Sequence, residues 1–375
     1  MRQTFVLCLL AFACDGAAPA ASDAEPPDAS PDVPFAPTPH APPPPIPFGG
    51  GAVLADAKLV VVTFSGYAFA DDAEAMAAWL PTSQWLAAVG AEYGVGTPSV
   101  LANVRLSQSA PSFTSTAAFT AWVAQEVGGD LPSPPSASTV YAIVFPSGAS
   151  FSDPSIGTMC NTFTGYHDAA AARAYTFAAI GTCPKHVAGL TDTEQMERVL
   201  SHEVLEALTD PFGDGWAARD PDDAWSWLGG GELADVCSGY VREDGFLAVK
   251  SWSNASAAAG LDPCAPDDPQ AIYFGTTSAS PSALHVAPGG TATVDVTGFS
   301  TAPTSEWIVD VVTTPFDLAP TVTLLPVQMN DGAAATLTVQ VPASAPSGSA
   351  ALVQLRSAHA NDTSYTLEPF VVRVP

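Results

Sequence analysis

The stretch Ser201-His202-Glu203-Val204-Leu205-Glu206 sets an imidazole and a carboxylate four residues apart. On a helix that spacing brings His202 and Glu206 onto one face, one turn apart, where two donors can grip a single metal ion. Glu203 points about a hundred degrees round, at the edge of that face, from where a carboxylate can take the proton of a coordinated water. Zinc is the expected ion, held by His202 and Glu206, with Glu203 as general base. A set of one imidazole and two carboxylates is neutral with Zn²⁺ and acidifies water less than a histidine-rich set. The third ligand is expected in Gly231-Glu232-Leu233-Ala234-Asp235-Val236-Cys237. If that stretch is helical, Glu232 and Asp235 share a face: Glu232 is read as the ligand, and Asp235 as the acid behind it that accepts the free N–H of His202. Asp210 is a reserve ligand.

Metallopeptidases use the same geometry in His-Glu-x-x-His. The element that must carry it begins at Thr191, which can cap a helix with Glu194 completing a capping box. Met196, Val199, Leu200, Val204, Ala207 and Leu208 recur at helical spacing as a buried stripe, and Asp210-Pro211 ends the run. His202 and Glu206 flank that stripe rather than oppose it, which favours a site over an exposed helix whose acids merely solvate it.

Around this helix, residues 53–275 read as one mixed α+β unit. Leu59 to Phe64 is an apolar run fit for a buried strand, as are Val140 to Phe145 and Tyr175 to Ile180. Helices are expected over Asp72 to Leu80, Ser83 to Tyr93 and Thr116 to Val127. There is no nucleotide-type glycine fingerprint and no Gly-x-Ser-x-Gly. A serine hydrolase is therefore set aside, since Ser65 and Ser201 lack a motif around them. From 279 to 375 the chain changes character: charges thin out, and Thr291 to Val296 and Ala335 to Val341 alternate polar with apolar. Trp307 to Thr313, Ala351 to Arg356 and Phe370 to Val374 add short strands between Pro288-Gly-Gly290 and Pro346-Ser-Gly348 turns. An all-β sandwich is expected here. Its strands resemble the immunoglobulin-like accessory modules appended to secreted bacterial enzymes.

The chain starts Met1-Arg2-Gln3-Thr4 and turns apolar from Phe5 to Ala13, an export-signal pattern too short to span a bilayer. Ala11-Phe12-Ala13-Cys14 resembles a bacterial lipobox with Ala in place of its usual Leu, which implies lipidation at Cys14 after removal of residues 1–13; cleavage after an Ala between 11 and 20 is the alternative. Residues 14–52 are dominated by Ala, Asp and Pro and read as a disordered, semi-extended tether. With Cys8 in the signal, Cys160, Cys183, Cys237 and Cys264 remain, an even number suited to an oxidising compartment. Three pairings are open; local closure favours Cys160 with Cys183 and Cys237 with Cys264. A zinc site of four thiolates is disfavoured because no Cys-x-x-Cys spacing exists. The chain has 375 residues and a net charge of −27, from 38 acidic against 11 basic side chains. That balance leaves no basic stripe for nucleic acid and opposes adsorption to anionic lipid.

Read together, "CNTFTGYH", "YTFAAIGTC", "SHEVLEALTDP", "GELADVC" and "FLAVKSWSN" leading to Cys264 resemble, in order, the exordium (phosphate-induced) family of secreted proteins. The resemblance spans about 160 to 264 and implies an extracellular domain with paired cysteines and a zincin-like active helix. It adds His167, which spacing alone does not single out, as an alternative ligand, and it supports a Cys160–Cys183 pair. Asp210, Asp214, Asp220, Asp222 and Asp223 make an acidic loop in which Ca²⁺ is a minor possibility. Trp216, Trp225, Trp227 and Trp252 are candidates for a substrate cleft or, more commonly, for core packing. The resulting expectation is an envelope or surface lipoprotein, alternatively secreted, that hydrolyses peptide or cell-envelope substrates and works as a monomer. Its competitor is a non-catalytic extracellular binding or wall-associated protein.

Overall fold

A strand that is apolar on both faces needs cover on both, and Lys58–Thr63 receives it in the computed structural model, which describes residues 34–375 except 268, 269, 361 and 363. This strand lies in a mixed five-stranded sheet with the order Ser99–Arg105, Lys58–Thr63, Thr139–Phe145, Thr176–Gly181, Gly165–Ala169. The first four strands run parallel and Gly165–Ala169 is the antiparallel edge. Leu59, Val61, Val140 and Ile180 face helices Ala70–Trp79, Gln84–Gly90 and Asp192–Thr209. Val60, Val62, Tyr141 and Phe177 face helix Thr116–Glu126 through Phe119 and Val123. The expected strands and helices are present within a few residues. Ser99–Arg105 and the edge strand carried no clear apolar pattern, because each is only partly covered.

Helix Asp192–Thr209 positions the site. Its capping box is formed: Thr191 Oγ1 accepts from Glu194 N at 3.2 Å, and Glu194 Oε2 accepts from Thr191 N at 2.8 Å. Such a cap contributes about 1 kcal/mol. The apolar stripe packs on the sheet, and the hairpin Tyr240–Glu243/Phe246–Val249 locks the other flank, with Leu247 N donating to Glu197 Oε2 at 3.0 Å and Val249 N to Ser201 Oγ at 3.2 Å. Ser201 is buried and its hydroxyl also donates back to Glu197 O, so it is committed to structure rather than nucleophilic chemistry.

The C-terminal part is a two-sheet β-sandwich. One sheet orders Phe274–Ser278, Thr291–Ser300, Ala334–Gln340, Thr321–Leu325; the other orders Ala283–His285, Thr366–Arg373, Ala350–Ala358, Trp307–Pro315, Gln328–Met329. Val294, Val296, Trp307, Leu337, Val353 and Phe370 fill the space between them. The sandwich begins with the strand at Phe274, ahead of the expected border at 279, because that strand pairs with Thr291–Ser300.

The expectation of a free tether through residue 52 needs correction from Thr38 onward. Thr38 bonds to Asp331 through N (3.1 Å) and Oγ1 (2.8 Å), and His40 stacks on Phe299. Asn254 brackets Ile46, accepting from its N at 2.8 Å and donating to its O at 2.9 Å, and Ile46 is 1 % exposed. Gly49 N and Gly51 N then donate to Gly215 O and Asp214 O at 2.7 and 2.8 Å. A proline-rich chain starts with little entropy to lose, and burying one Ile side chain contributes about 1.5–3 kcal/mol. Composition hid these anchors among the prolines. The export signal, Cys8 and Cys14 lie outside the described residues. No helix among the described residues is long and apolar enough to cross a membrane.

The four tryptophans do not line a cleft over helix Asp192–Thr209. Trp225 and Trp252 are buried with Leu233 and Val236 against Ala350, Leu352 and Val371 of the sandwich. Trp216 packs on Phe48 and Tyr93, and Trp227 on Phe316. Trp225, Trp227 and Trp252 join the α/β part to the sandwich, and Trp216 seats the N-terminal segment on the α/β part. Both disulfides follow local closure, Cys160–Cys183 and Cys237–Cys264.

Candidate metal centre

Three chain segments meet at one end of helix Asp192–Thr209: the helix, the edge strand Gly165–Ala169 and the turn from Gly229 to Val236. His202 Nε2 lies 3.2 Å from Glu206 Oε2, one helical turn on, and 3.2 Å from Asp235 Oδ1. His167 faces the same cluster from the edge strand. Its Nδ1 is 3.8 Å from Glu206 Oε2 and 3.9 Å from Glu203 Oε2, and its Nε2 is 3.5 Å from Glu232 Oε1. Strand alternation explains this placement: Tyr166 turns into the opposite core, so Gly165 and His167 turn toward the helix.

Two groups have ligand atoms close enough to share one ion, His202/Glu206/Asp235 and His167/Glu203/Glu206. Each could hold a metal. Glu203 and Glu206 are only 3 % exposed, and Glu203 Oε2 and Glu206 Oε1 are buried without a hydrogen-bond partner. Buried carboxylate oxygens of this kind cost several kcal/mol unless a cation or donor meets them, so the donor set fits a metal.

Electrostatics tell the same story. Burial, with Glu206 and Asp235 nearby, pushes the Glu203 carboxyl well above its ordinary range, against the pull of His202 and Arg198. Burial and the neighbouring acids, Glu206 foremost, likewise raise Glu232 and Asp235. For His202, burial disfavours the charged ring, but Glu206 and Asp235 outweigh it and raise its pKa well above the ordinary value.

Asp235 meets His202 as expected, but Glu232, expected as the third ligand, is not in the group with His202 and Glu206. Asp235 reaches the His202–Glu206 pair, whereas Glu232 sits beside His167. The segment is a turn rather than a helix, so the two acids leave it in different directions. Gly229 has a positive φ of 57°, and a Cβ there would lie 2.2 Å from Asp235 Cγ; only glycine lets that carboxylate approach. The Cys237–Cys264 bond secures the end of the turn. Asp210 is not a ligand by its carboxylate, since Oδ1 accepts from Gly215 N and Oδ2 is paired with Arg219. Its carbonyl instead accepts from His167 Nε2 at 3.2 Å and orients that ring.

The remaining acids of the loop are engaged elsewhere. Asp214 pairs with Arg173 at 2.7 Å and Asp222 with Arg373 at 2.6 Å; Asp220 and Asp223 accept from Asp222 N and Trp225 N. Among the described residues they form no convergent cation group. Two contributors escaped sequence reasoning. Arg198 is a half-buried cation that acts on Glu203 and lies one turn before His202. Gly165 leaves the space that Glu203 occupies: a Cβ there would stand 2.5 Å from Glu203 Oε1. A cavity of about 300 Å³ opens beside His167 and Glu232, bounded also by Asp168, Phe212 and Arg219.

No family model matches the chain, and no curated protein matches it. Among solved structures, domains 4 and 5 of the S-layer protein SbsC align at 17 % identity over 28 % of this chain and 53 % of that one, with a TM-score of 0.21. The chain thus spans about half of that structure. A Caenorhabditis elegans MSP family member, WR4, aligns at 13 % identity over 28 % of this chain and 97 % of its own (TM-score 0.19). A nucleoside hydrolase-related protein from Saccharophagus degradans aligns at 10 % identity over 85 % of this chain and 100 % of its own (TM-score 0.27).

Proposed function

We propose that the chain is an exported zinc-dependent hydrolase of zincin-like design that cleaves peptide bonds, built on an exordium-like domain and tethered to the envelope through Cys14. The observation that carries this reading is the convergence of half-buried His202 and Asp235 on buried Glu206, with unpartnered oxygens on Glu206 and on the neighbouring Glu203. Imidazole nitrogens in the set favour zinc or a similar transition ion over Ca²⁺. When bound, such a dication supplies Lewis acidity toward a carbonyl and lowers the pKa of a coordinated water.

The chain's own residues do the rest. His202, Glu206 and Asp235 hold the ion. Glu203, whose Oε2 meets no donor, would accept a proton there; burial raises its carboxyl well above the ordinary range, and His202 and Arg198 pull it back only in part. The edge strand carries pairing groups on its outer side, beside the cavity. An extended peptide could add there as a further strand, which is why peptide is favoured as substrate. The paired cysteines support an oxidising, extracellular setting.

A non-catalytic wall-associated binding protein is the competing reading, favoured by Glu206 standing where a histidine would acidify water more strongly. The deciding experiment compares zinc-loaded wild type with Glu203→Gln on a quenched-fluorescence peptide library. Turnover by wild type that drops by at least about a hundredfold in the variant, at equal metal content, supports the enzyme. No stoichiometric metal, no turnover, or equal turnover in both proteins overturns it.

A further inference from the structure

We propose that a second divalent cation binds beside the first, held by His167, Glu203 and Glu206, and that it shuts the site down by taking Glu203 out of use. This inference rests on the metal-hydrolase reading above and adds a position that reading does not need.

The argument starts at His167. Its Nε2 lies 3.2 Å from the carbonyl of Asp210, which can only accept, so Nε2 carries a proton and Nδ1 is the nitrogen left to offer a lone pair to a cation. That is the tautomer of a metal-ligating histidine steadied by a backbone carbonyl. The lone pair faces Glu206 Oε2 at 3.8 Å and Glu203 Oε2 at 3.9 Å. Those separations are too long for a hydrogen bond. They suit two ligands of one cation, which stand about 3–4 Å apart when each bond is about 2.1 Å.

The second observation is independent of the ring. Glu203 Oε2 and Glu206 Oε1 are buried and meet no donor. Asp235 and His202 complete the first position without Glu203, and His202 Nε2 stands 3.2 Å from Glu206 Oε2, the oxygen that also faces His167 Nδ1. Glu206 thus turns Oε2 toward both groups and keeps Oε1 without a partner, so its carboxylate can bridge two cations. Gly165 completes the fit, since any side chain there would displace Glu203 from its place under the edge strand.

The consequence is regulatory. A carboxylate that ligates a cation no longer serves as a free proton acceptor, so the two uses of Glu203 exclude each other. Hydrolysis therefore rises as the first position fills and falls as the second does.

The test is a zinc titration of chelator-stripped full chain by calorimetry, with bound metal counted by elemental analysis and Mn²⁺-loaded samples read by electron paramagnetic resonance. Wild type is expected to take up two ions, the second at least about tenfold more weakly, and to give a spin-coupled Mn²⁺ signal. His167→Ala is expected to take up one ion at wild-type affinity for the first and to give an uncoupled signal. His167→Asn serves if the alanine variant does not fold. One ion in wild type, or two in both proteins, overturns the second position while leaving the first reading intact. No ion in wild type overturns both.

Discussion

Replacing Asp235 by Asn tests which acid completes the first cation position. Asp235 Oδ1 is 3.2 Å from His202 Nε2, while Glu232 Oε1 is 3.5 Å from the outward nitrogen of His167. Zinc that binds only the folded state at about one hundred times its Kd adds about 2.7 kcal/mol of stability. Loss of one charged ligand weakens zinc by about a hundredfold, at the upper end of what even an orienting neighbour contributes. At the same zinc concentration the increment in Asp235→Asn then falls to about 0.4 kcal/mol. Glu232→Gln, which leaves the His202 triad intact, keeps more than about 2 kcal/mol. The assay is urea denaturation of each protein with and without zinc, so that each variant's own apo stability cancels. Equal increments in wild type and Asp235→Asn would refute the assignment. An increment lost in Glu232→Gln alone would return Glu232 to the ligand set.

Two further outcomes are expected away from the ligands and beside them. Burial raises the Glu368 carboxyl to about 8, outweighing the hydrogen bond from Ser278 N; the native state then binds its proton more tightly than the unfolded chain does, so its contribution is complete below about pH 4.5 and is lost as pH rises through 8, costing about 3 kcal/mol between pH 4.5 and 7. Glu368→Gln should flatten that slope in denaturation midpoints measured across this window, and a slope unchanged by the substitution would exclude the group as its source. Gly165→Ala places a Cβ 2.5 Å from Glu203 Oε1 and 2.7 Å from Val199 Cγ1, so it should cost about 1–3 kcal/mol by urea denaturation and lower turnover through the displaced Glu203; a variant as stable as wild type would show that the edge strand yields freely.

Much of helix Asp192–Thr209 is legible in one dimension because its causes are local. The capping box, the apolar stripe and the His202–Glu206 spacing all act within a few turns, and each appears as read. Local closure of the two disulfides belongs to the same class, since short loops cost the least entropy to close. The order of Glu232 and Asp235 is different in kind. It depends on three consecutive glycines, Gly229, Gly230 and Gly231, all at positive φ, which turn the backbone so that the nearer acid in sequence is the farther in space.

His167, Arg198 and Gly165 illustrate what only tertiary structure decides. Spacing does not mark His167, which only the resemblance names; that it faces the cluster comes from an edge strand whose alternation turns it toward a helix, and from the carbonyl of Asp210 that orients its ring. The proline-rich segment is the converse case. Its composition truthfully reports a chain with little to bury, but Ile46 alone, bracketed by Asn254, is enough to seat it. Composition and periodicity encode local preference and average burial. Which distant groups share a few ångströms depends on topology, and there one imidazole, one glycine or one isoleucine outweighs the average.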